Sequence, residues 1–268
     1  MTRKGPFVFL SWFARISQEL VVMTLPRTLE PELMDSREEV WAYDAMDHRD
    51  VNLVFVNNFL EALQAAGLFS EGSLCLTTRP DDARPVDCDA VTIRIVDLGT
   101  ATAQIPIELA RRSRLLRIMA IDFAAGMLDV AMMNIDAAGL RDQIQLDCVD
   151  AKRLPYADGM FDGTISNSLL HHVEHPHTVI AEAIRVTRKH GLLFFRDLLR
   201  PSDQASLESL VQTYAANAPP LARLLFTNSL HASLSMDDIS DILKSLDLPC
   251  SGLHQTTDRH WTLSIRRT

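Results

Sequence analysis

The chain has 268 residues, 47% of them hydrophobic, and a formal net charge of -9. That is ample apolar content for a domain with a buried core, while the acidic balance, with no run of Lys and Arg, argues against a nucleic-acid-binding face. The four cysteines, Cys75, Cys88, Cys148 and Cys250, lie far apart with no CxxC pair, the pattern of reduced thiols in a cytoplasmic protein and not of a disulfide framework or a zinc site.

Residues 1–22 carry basic residues and then an apolar run that faintly resembles a signal peptide. Arg15 and Glu19 interrupt it, no small-residue cleavage site follows, and it is too short to span a bilayer. It is set apart as an uncertain N-terminal extension, with Met23 as an alternative start. Residues 23–90 read as a helical cap and linker. Within them, residues 26–36 are an extended lead-in with two prolines, and the capping pattern Ser36-Arg37-Glu38-Glu39 opens a helix to about Tyr43. Residues 51–66 place apolar side chains at helical spacing, and Gly67 is a fitting stop. Residues 70–90 form a connection with Gly72, Pro80 and Pro85, with room for a short strand at 74–77.

From Val91 the pattern becomes a regular alternation of strands and helices. The β-branched run of Val91, Ile93, Ile95 and Val96 is a buried strand ending at Leu98; Gly99 makes a tight turn, and a helix follows over about 104–112. The second strand ends at Ile121 and the next helix covers 125–138 before Gly139. A third strand spans 143–149, a fourth 163–166, a helix about 177–188, and a fifth strand 192–196. After Pro201 two helices follow in succession, 203–216 and 220–230, then a third opened by Ser235 and running to about Leu246. A closing hairpin is expected over 250–255 and 261–266. The fold class is therefore α/β: a Rossmann-like, doubly wound, mostly parallel seven-stranded sheet over residues 91–268. A helical lead-in precedes it, and a helical insertion at 201–232 lies on the substrate side.

In such sheets ligands bind beyond the carboxyl ends of the strands, here at residues 97–104. Backbone N–H groups at the start of the following helix suit a carboxylate or phosphate. Asp122, at the end of the second strand and about 20 residues past the glycine turn, is the type of residue that accepts hydrogen bonds from ribose hydroxyls; capping the next helix is compatible with that role.

Four strings, IVDLGTATAQ, AIDFAAGML, LDCVDAKRLPYADGMFDGTISNSLLHHV and RVTRKHGLLFFRDLLRP, together resemble the ordered motifs of class I S-adenosylmethionine (SAM)-dependent methyltransferases. The nearest flavour is the methyltransferase type 11, ubiquinone-biosynthesis-like group. The resemblance implies SAM as cofactor and a small-molecule methyl acceptor. It places Asp97, Gly99, Thr100 and Ala101 in the loop around the methionine end of SAM. Asp122 would hold the ribose with Phe123 and Met127 nearby, Asp150 the adenine amino group with Ala151 alongside, and Asn167 would face the methionine moiety. Tyr43 resembles a tyrosine that closes over the cofactor. Two departures stand out. The usual GxGxG loop reads Gly99-Thr100-Ala101-Thr102-Ala103, so a methyl group sits where backbone meets cofactor, and it carries a cost if φ is positive there. Lys189-His190-Gly191 replaces a usual Pro-Gly-Gly turn.

His171, His172, His175 and His177 crowd round Glu174 and Pro176 and invite a metal reading, but they straddle a loop and a helix start, so no metal is expected. His172 is the candidate base or substrate orienter, in preference to His171; the rival reading is structural, with one histidine ring packed under the adjoining helix. His48, Arg196 and Asp197 are secondary candidates, and the polar residues of 258–261 read as a turn. A catalytically silent, SAM-binding module is the alternative, favoured by Ala101. A nicotinamide dehydrogenase fails because Gln104 takes the last position of GxGxxG/A. The acceptor, the atom methylated and the oligomeric state are not legible.

Overall fold

The computed structural model describes residues 25–30, 36–46, 48–69 and 92–268. The N-terminal extension and the connecting segment with its short strand at 74–77 lie outside the described residues. Two helices come first, α1 (Arg37–Asp44) and α2 (Arg49–Ala65). The alternation then runs β1 (Ile93–Leu98), α3 (Gln104–Arg112), β2 (Leu116–Asp122), α4 (Ala125–Ala138), β3 (Ile144–Cys148), β4 (Phe161–Asn167), α5 (Pro176–Val186) and β5 (Thr187–Leu198). It closes with α6 (Gln204–Ala215), α7 (Pro220–Ala232), α8 (Met236–Ser245), β6 (Leu253–Gln255) and β7 (His260–Arg266).

The strands form one seven-stranded sheet in the order β3-β2-β1-β4-β5-β7-β6. Strands β1 to β5 are parallel to one another, and β7 runs antiparallel between β5 and β6. The order reverses between β1 and β4, the switch point where a ligand crevice opens in such sheets. Strand β1 is central, so both its faces are covered: Ile95, Val96 and Leu98 are fully buried.

One core layer joins Ile93 and Ile95 of β1 to α2, α3 and α4; the other joins Val96 and Leu98 to α5, α8 and Trp261 of β7. Helix α2 does more than lead into the domain. Its Phe55, Phe59 and Leu63 are fully buried, and Phe55 meets Phe194 of β5 edge-on at 5.2 Å between ring centroids. Each such side chain is worth roughly 1.5–3 kcal/mol of burial, so α2 is held to the sheet by its own apolar stripe.

Glycines 67 and 139 end α2 and α4 in left-handed conformation (φ 67° and 68°), as their positions foretold. Ser235 and Asp238 form the capping box that starts α8. One boundary differs from expectation. Helix α5 ends at Val186, not near Arg188, and β5 begins at Thr187, because Thr187 pairs with Phe161 and its hydroxyl meets that of Thr164 at 2.6 Å. Residues 189–191 thus form an irregularity inside β5, with His190 at φ 64°; a side chain on Gly191 would strike the Asp162 carbonyl oxygen at 2.6 Å.

Candidate active site

The turn after β1 is built by backbone geometry. Gly99 (φ 73°) and Thr100 donate their N–H groups to the Ile121 carbonyl at 3.0 and 2.8 Å, tying the loop to the end of β2. A Cβ on Gly99 would lie 2.9 Å from Leu169 Cδ1, so the loop lies tight against the segment after β4. Ala101 (φ 48°) and Ala103 (φ 62°) both occupy the left-handed region. The alanine substituted for the family's glycine therefore does sit at a strained position, at roughly 1–2 kcal/mol per residue.

Asp122 explains how that loop is held. Its Oδ2 accepts the Ala101 N–H at 2.8 Å and its Oδ1 accepts the Ala124 N–H at 2.9 Å, so one carboxylate bridges the first loop to the start of α4. Asp122 does not cap α4 as foreseen: it bonds the N–H of Ala124, the N-cap residue itself, whose own side chain makes no capping bond.

Around these residues a cleft opens over the carboxyl ends of β1, β2 and β4. Tyr43, Gly99, Ala101, Asp122, Phe123, Met127, Asp150, Ala151, Asn167 and His172 all line it. Phe123 leaves 56% of its surface exposed at the cleft, which suits stacking on a flat base. Asp150 is partly committed: its Oδ1 accepts the Lys152 N–H at 2.9 Å, and the Lys152 ammonium lies 3.4 Å from Oδ2. Tyr43, at the end of α1, packs with Val40, Ala101, Ala124 and Met127 over the mouth. Burial, reinforced by the charges of Asp122, Asp97 and Asp44, pushes its phenol up to about 12, so it stays a neutral hydroxyl.

Asp97 and Thr100 depart from expectation. They do not line the cleft; both are buried beneath the turn, at 2% and 6% exposure. Burial pushes the Asp97 carboxyl up to about 7, with the Thr100 hydroxyl opposing and the Asp122 charge adding to the rise. Their part is to support the loop from below.

A second, larger cavity of about 480 Å³ adjoins the first, and Tyr43, Asn167, Ser168 and His172 line both. Its far walls come from α6, α7 and β7 and include Ala215, Ala222, Leu225, Phe226, Arg259 and His260. The polar residues of 258–261 are therefore more than a turn. Arg259 stacks on the Tyr214 ring at 3.3 Å from its centroid, and Asp258 accepts the Tyr214 hydroxyl at 2.7 Å. His48 lines this cavity too. Arg196 lines neither: its Nε donates to Thr262 Oγ1 at 3.0 Å, cross-linking β5 to β7.

The histidines separate cleanly. His175 is exposed on the surface beside Glu174. His171 is 3% exposed and its Nδ1 lies 2.5 Å from Asp197 Oδ1, a pairing with the end of β5 that no pattern in the sequence anticipates. Burial opposes charge on His171, but Asp197 outweighs it and the pKa is raised. Asp197 is in turn lowered, burial being outweighed by His171 and by backbone N–H bonds. The Asp197 carboxylate also accepts N–H groups of Leu170, at 2.6 Å, and of Leu198, at 2.6 Å. His172 faces both cavities; burial, aided by the charge on His171 and opposed by Asp197, depresses it to about 3, so it is a neutral imidazole. Glu30, which no sequence signal singles out, lies 3.6 Å from His171 Nε2 and 3.1 Å from His172 Nδ1.

Comparison with known proteins agrees with this architecture. Residues 96–195 match the methyltransferase domain family described as "Methyltransferase domain". The demethylmenaquinone methyltransferase of Desulfitobacterium hafniense is 32% identical over 109 residues, 40% of this chain and 43% of that one. That of Streptomyces avermitilis is 29% identical over 148 residues, 55% of this chain and 58% of that one. The chain thus spans about half the length of the curated relatives it matches. Among solved structures, the plantazolicin methyltransferase BpumL, bound to a pentazolic desmethylPZN analogue and S-adenosylhomocysteine (SAH), superposes with a TM-score of 0.62 at 12% identity, covering 87% of this chain and 92% of that one. A SAM-dependent methyltransferase of Aquifex aeolicus gives 0.52 at 14% identity over 67% and 85%. The motif order, the sheet order and the matched methyltransferase domain at 96–195 agree, and the chain has the fold of the methyltransferases it resembles.

Proposed function

We propose that the protein transfers a methyl group from SAM to a small-molecule acceptor. The observation that carries this reading is the junction of two cavities at Asn167, Ser168 and His172: one with the expected cofactor residues, the other apolar and of small-molecule size. The first cleft suits the cofactor. Asp122 stands at the end of β2 where the ribose would lie, the exposed Phe123 ring suits the adenine, and Asn167 meets the methionine end. SAM supplies a methyl group on a positively charged sulfur. The residues of this chain hold cofactor and acceptor in line and exclude water, which is most of the catalysis such a displacement needs. Tyr43 closes the shared mouth. His172, a neutral imidazole at the junction, takes the acceptor's proton or orients the acceptor. The helices α6 and α7, residues 201–232, form the substrate-side cap of the methyltransferase domain.

Titration calorimetry of the full chain with SAM and SAH tests the cofactor reading; micromolar binding of both is expected, and no binding by the folded protein would overturn it. With an acceptor found by screening, His172→Ala is expected to lower kcat by roughly 10²–10⁴-fold. Unchanged turnover would remove His172 from the chemistry. The positive φ of Ala101 favours a second reading, a SAM-binding module without turnover. Tight SAM binding with no methyl transfer to any acceptor in the screen would favour that module.

A further inference from the structure

Residues 25–30 lie outside the matched methyltransferase domain, yet they reach its active site. Leu25 donates its N–H to the Ser202 carbonyl and Thr28 to that of His231, both at 3.0 Å. The Arg27 side chain clamps the same strap, donating to the carbonyls of Ala232 at 2.7 Å, Val173 at 2.9 Å and His171 at 3.2 Å. Glu30 is thereby held against the loop after β4, where it accepts the Ser229 hydroxyl at 3.2 Å and lies 3.1 Å from His172 Nδ1. Its side chain is 9% exposed, and it lines the second cavity.

The donor atoms of Glu30, His171 and His172 lie within 4.8 Å of one another, close enough to raise the question of a metal ion. The contacts already present answer it. His171 Nε2 and His172 Nδ1 both face Glu30 Oε1, at 3.6 and 3.1 Å, so the carboxylate oxygen itself occupies the place between them. Asp197 already takes His171 Nδ1, and the Arg27 guanidinium supplies positive charge at the His171 carbonyl.

A carboxylate beside one imidazole nitrogen, with the other left towards a substrate cavity, is the arrangement that fixes a histidine tautomer and stabilises its protonated form. We infer that Glu30 is the positioning residue for His172, and that the acceptor is an apolar molecule carrying a weakly acidic hydroxyl which the pair deprotonates. The inference rests on the methyl-transfer reading above. In the substrate complex Glu30 accepts the Nδ1–H of His172, which leaves Nε2 to receive the hydroxyl proton. An oxygen lone pair then forms the O–CH₃ bond while the electrons of the S–CH₃ bond return to sulfur. The products are the methyl ether, SAH and a proton on His172, shared with Glu30 until it passes to solvent. A histidine this buried resists protonation, and the His171 charge adds to that while Asp197 opposes it. Burial raises Glu30 itself, with His171 and Ser229 opposing, so it too is suited to share a proton. Arg27, His171 and Asp197 are the other charged groups facing the pair. The Nδ1 atom makes no aligned hydrogen bond here, and such bonds commonly tighten only on substrate binding. The apolar walls of Leu198, Ala222, Leu225 and Phe226 set the rest of the acceptor.

The test is nitrogen NMR of imidazole-labelled full-length protein saturated with SAH, using 1-naphthol as the acceptor probe. His172 is expected as the Nδ1–H tautomer, with 1-naphthol moving the Nε2 signal and not Nδ1. Glu30→Leu and Glu30→Gln should lower the His172 pKa by about one unit and reduce the Nδ1–H preference, and Glu30→Asp should restore both. An Nε2–H tautomer in the unaltered protein, an Nδ1–H preference untouched by either variant, or an Nε2 signal indifferent to 1-naphthol would each overturn the inference. Calorimetry with SAH on the same samples reads the cofactor side separately, so its failure would count against the methyl-transfer reading and not be confused with a failed Glu30–His172 pair.

Discussion

The two cavities that meet at His172 are built in different ways. The first cleft, the cofactor side of the proposed function, comes from loops that follow parallel strands, so its residues fall in four short stretches around Gly99, Asp122, Asp150 and Asn167. Backbone groups do much of the work there, and Asp122 holds the loop by accepting main-chain N–H bonds. The second cavity, the proposed acceptor side, draws on Glu30, α1, α2, α6, α7 and the start of β7, brought together across most of the chain. A side made of loops on a fixed sheet can be read from local patterns; a side made of distant helices can vary its substrate without disturbing the sheet.

The sharpest way to break this contrast is at Asp197, which supports the acceptor side from the end of β5. Asp197→Ala leaves the buried His171 without its counter-charge and the Leu170 and Leu198 N–H groups without an acceptor, so a loss of about 3–5 kcal/mol is expected in denaturant unfolding. The raised His171 contributes stability fully below its unfolded value near 6.5 and loses it as pH rises through the folded one. The lowered Asp197 contributes above about 3.8 and loses it as pH falls through its folded value. The penalty should therefore be greatest between these limits. A penalty that is flat with pH would mean the pair is not ionised.

Asp97 tests the buried support of the cofactor loop. Its folded pKa of about 7 lies above the unfolded value of 3.8, so its contribution is present below about pH 4 and lost as pH rises through 7. Asp97→Asn should gain on the unaltered protein by roughly 2 kcal/mol between pH 5 and pH 8, seen as a widening gap in melting temperature. A constant gap would show that Asp97 ionises normally.

Asp122→Ala removes an acceptor from Ala101, Ala124 and, on the proposed function, the ribose. SAH affinity is expected to fall roughly tenfold to a hundredfold in calorimetry with the fold retained, hydrogen bonds to a charged group being worth about 1.5–3 kcal/mol. Unchanged affinity would confine Asp122 to holding the loop. The smallest effect belongs to Ala101→Gly. Relief of the left-handed strain is partly offset by the greater freedom of an unfolded glycine, so the net gain in stability should be under about 1 kcal/mol, with SAH binding equal or tighter. Weaker binding would show that the methyl group contacts the cofactor favourably.

Much of this molecule was legible before any coordinates. The β-branched run ending at Leu98, the stops at Gly67 and Gly139 and the capping box at Ser235 are local consequences of side-chain shape and backbone freedom, and they mark elements wherever they occur. The ribose candidate Asp122 could be named because strand, turn and spacing fix where a strand's carboxyl end lies. The positive φ of Ala101 could be posed as a question but not answered, since it depends on how Asp122 and Leu169 confine the loop. Nor could the removal of Asp97 and Thr100 from the cavity wall be seen, because a side chain's face at a turn is set by packing beneath it. Local sequence determined the sheet, its switch point and the cofactor stretches, through interactions that span a few residues. Only the tertiary structure decided that Glu30 meets His172, that Asp197 claims His171, and that α2 belongs to the core, because each is a contact between segments remote in the chain, recorded by no pattern within either one.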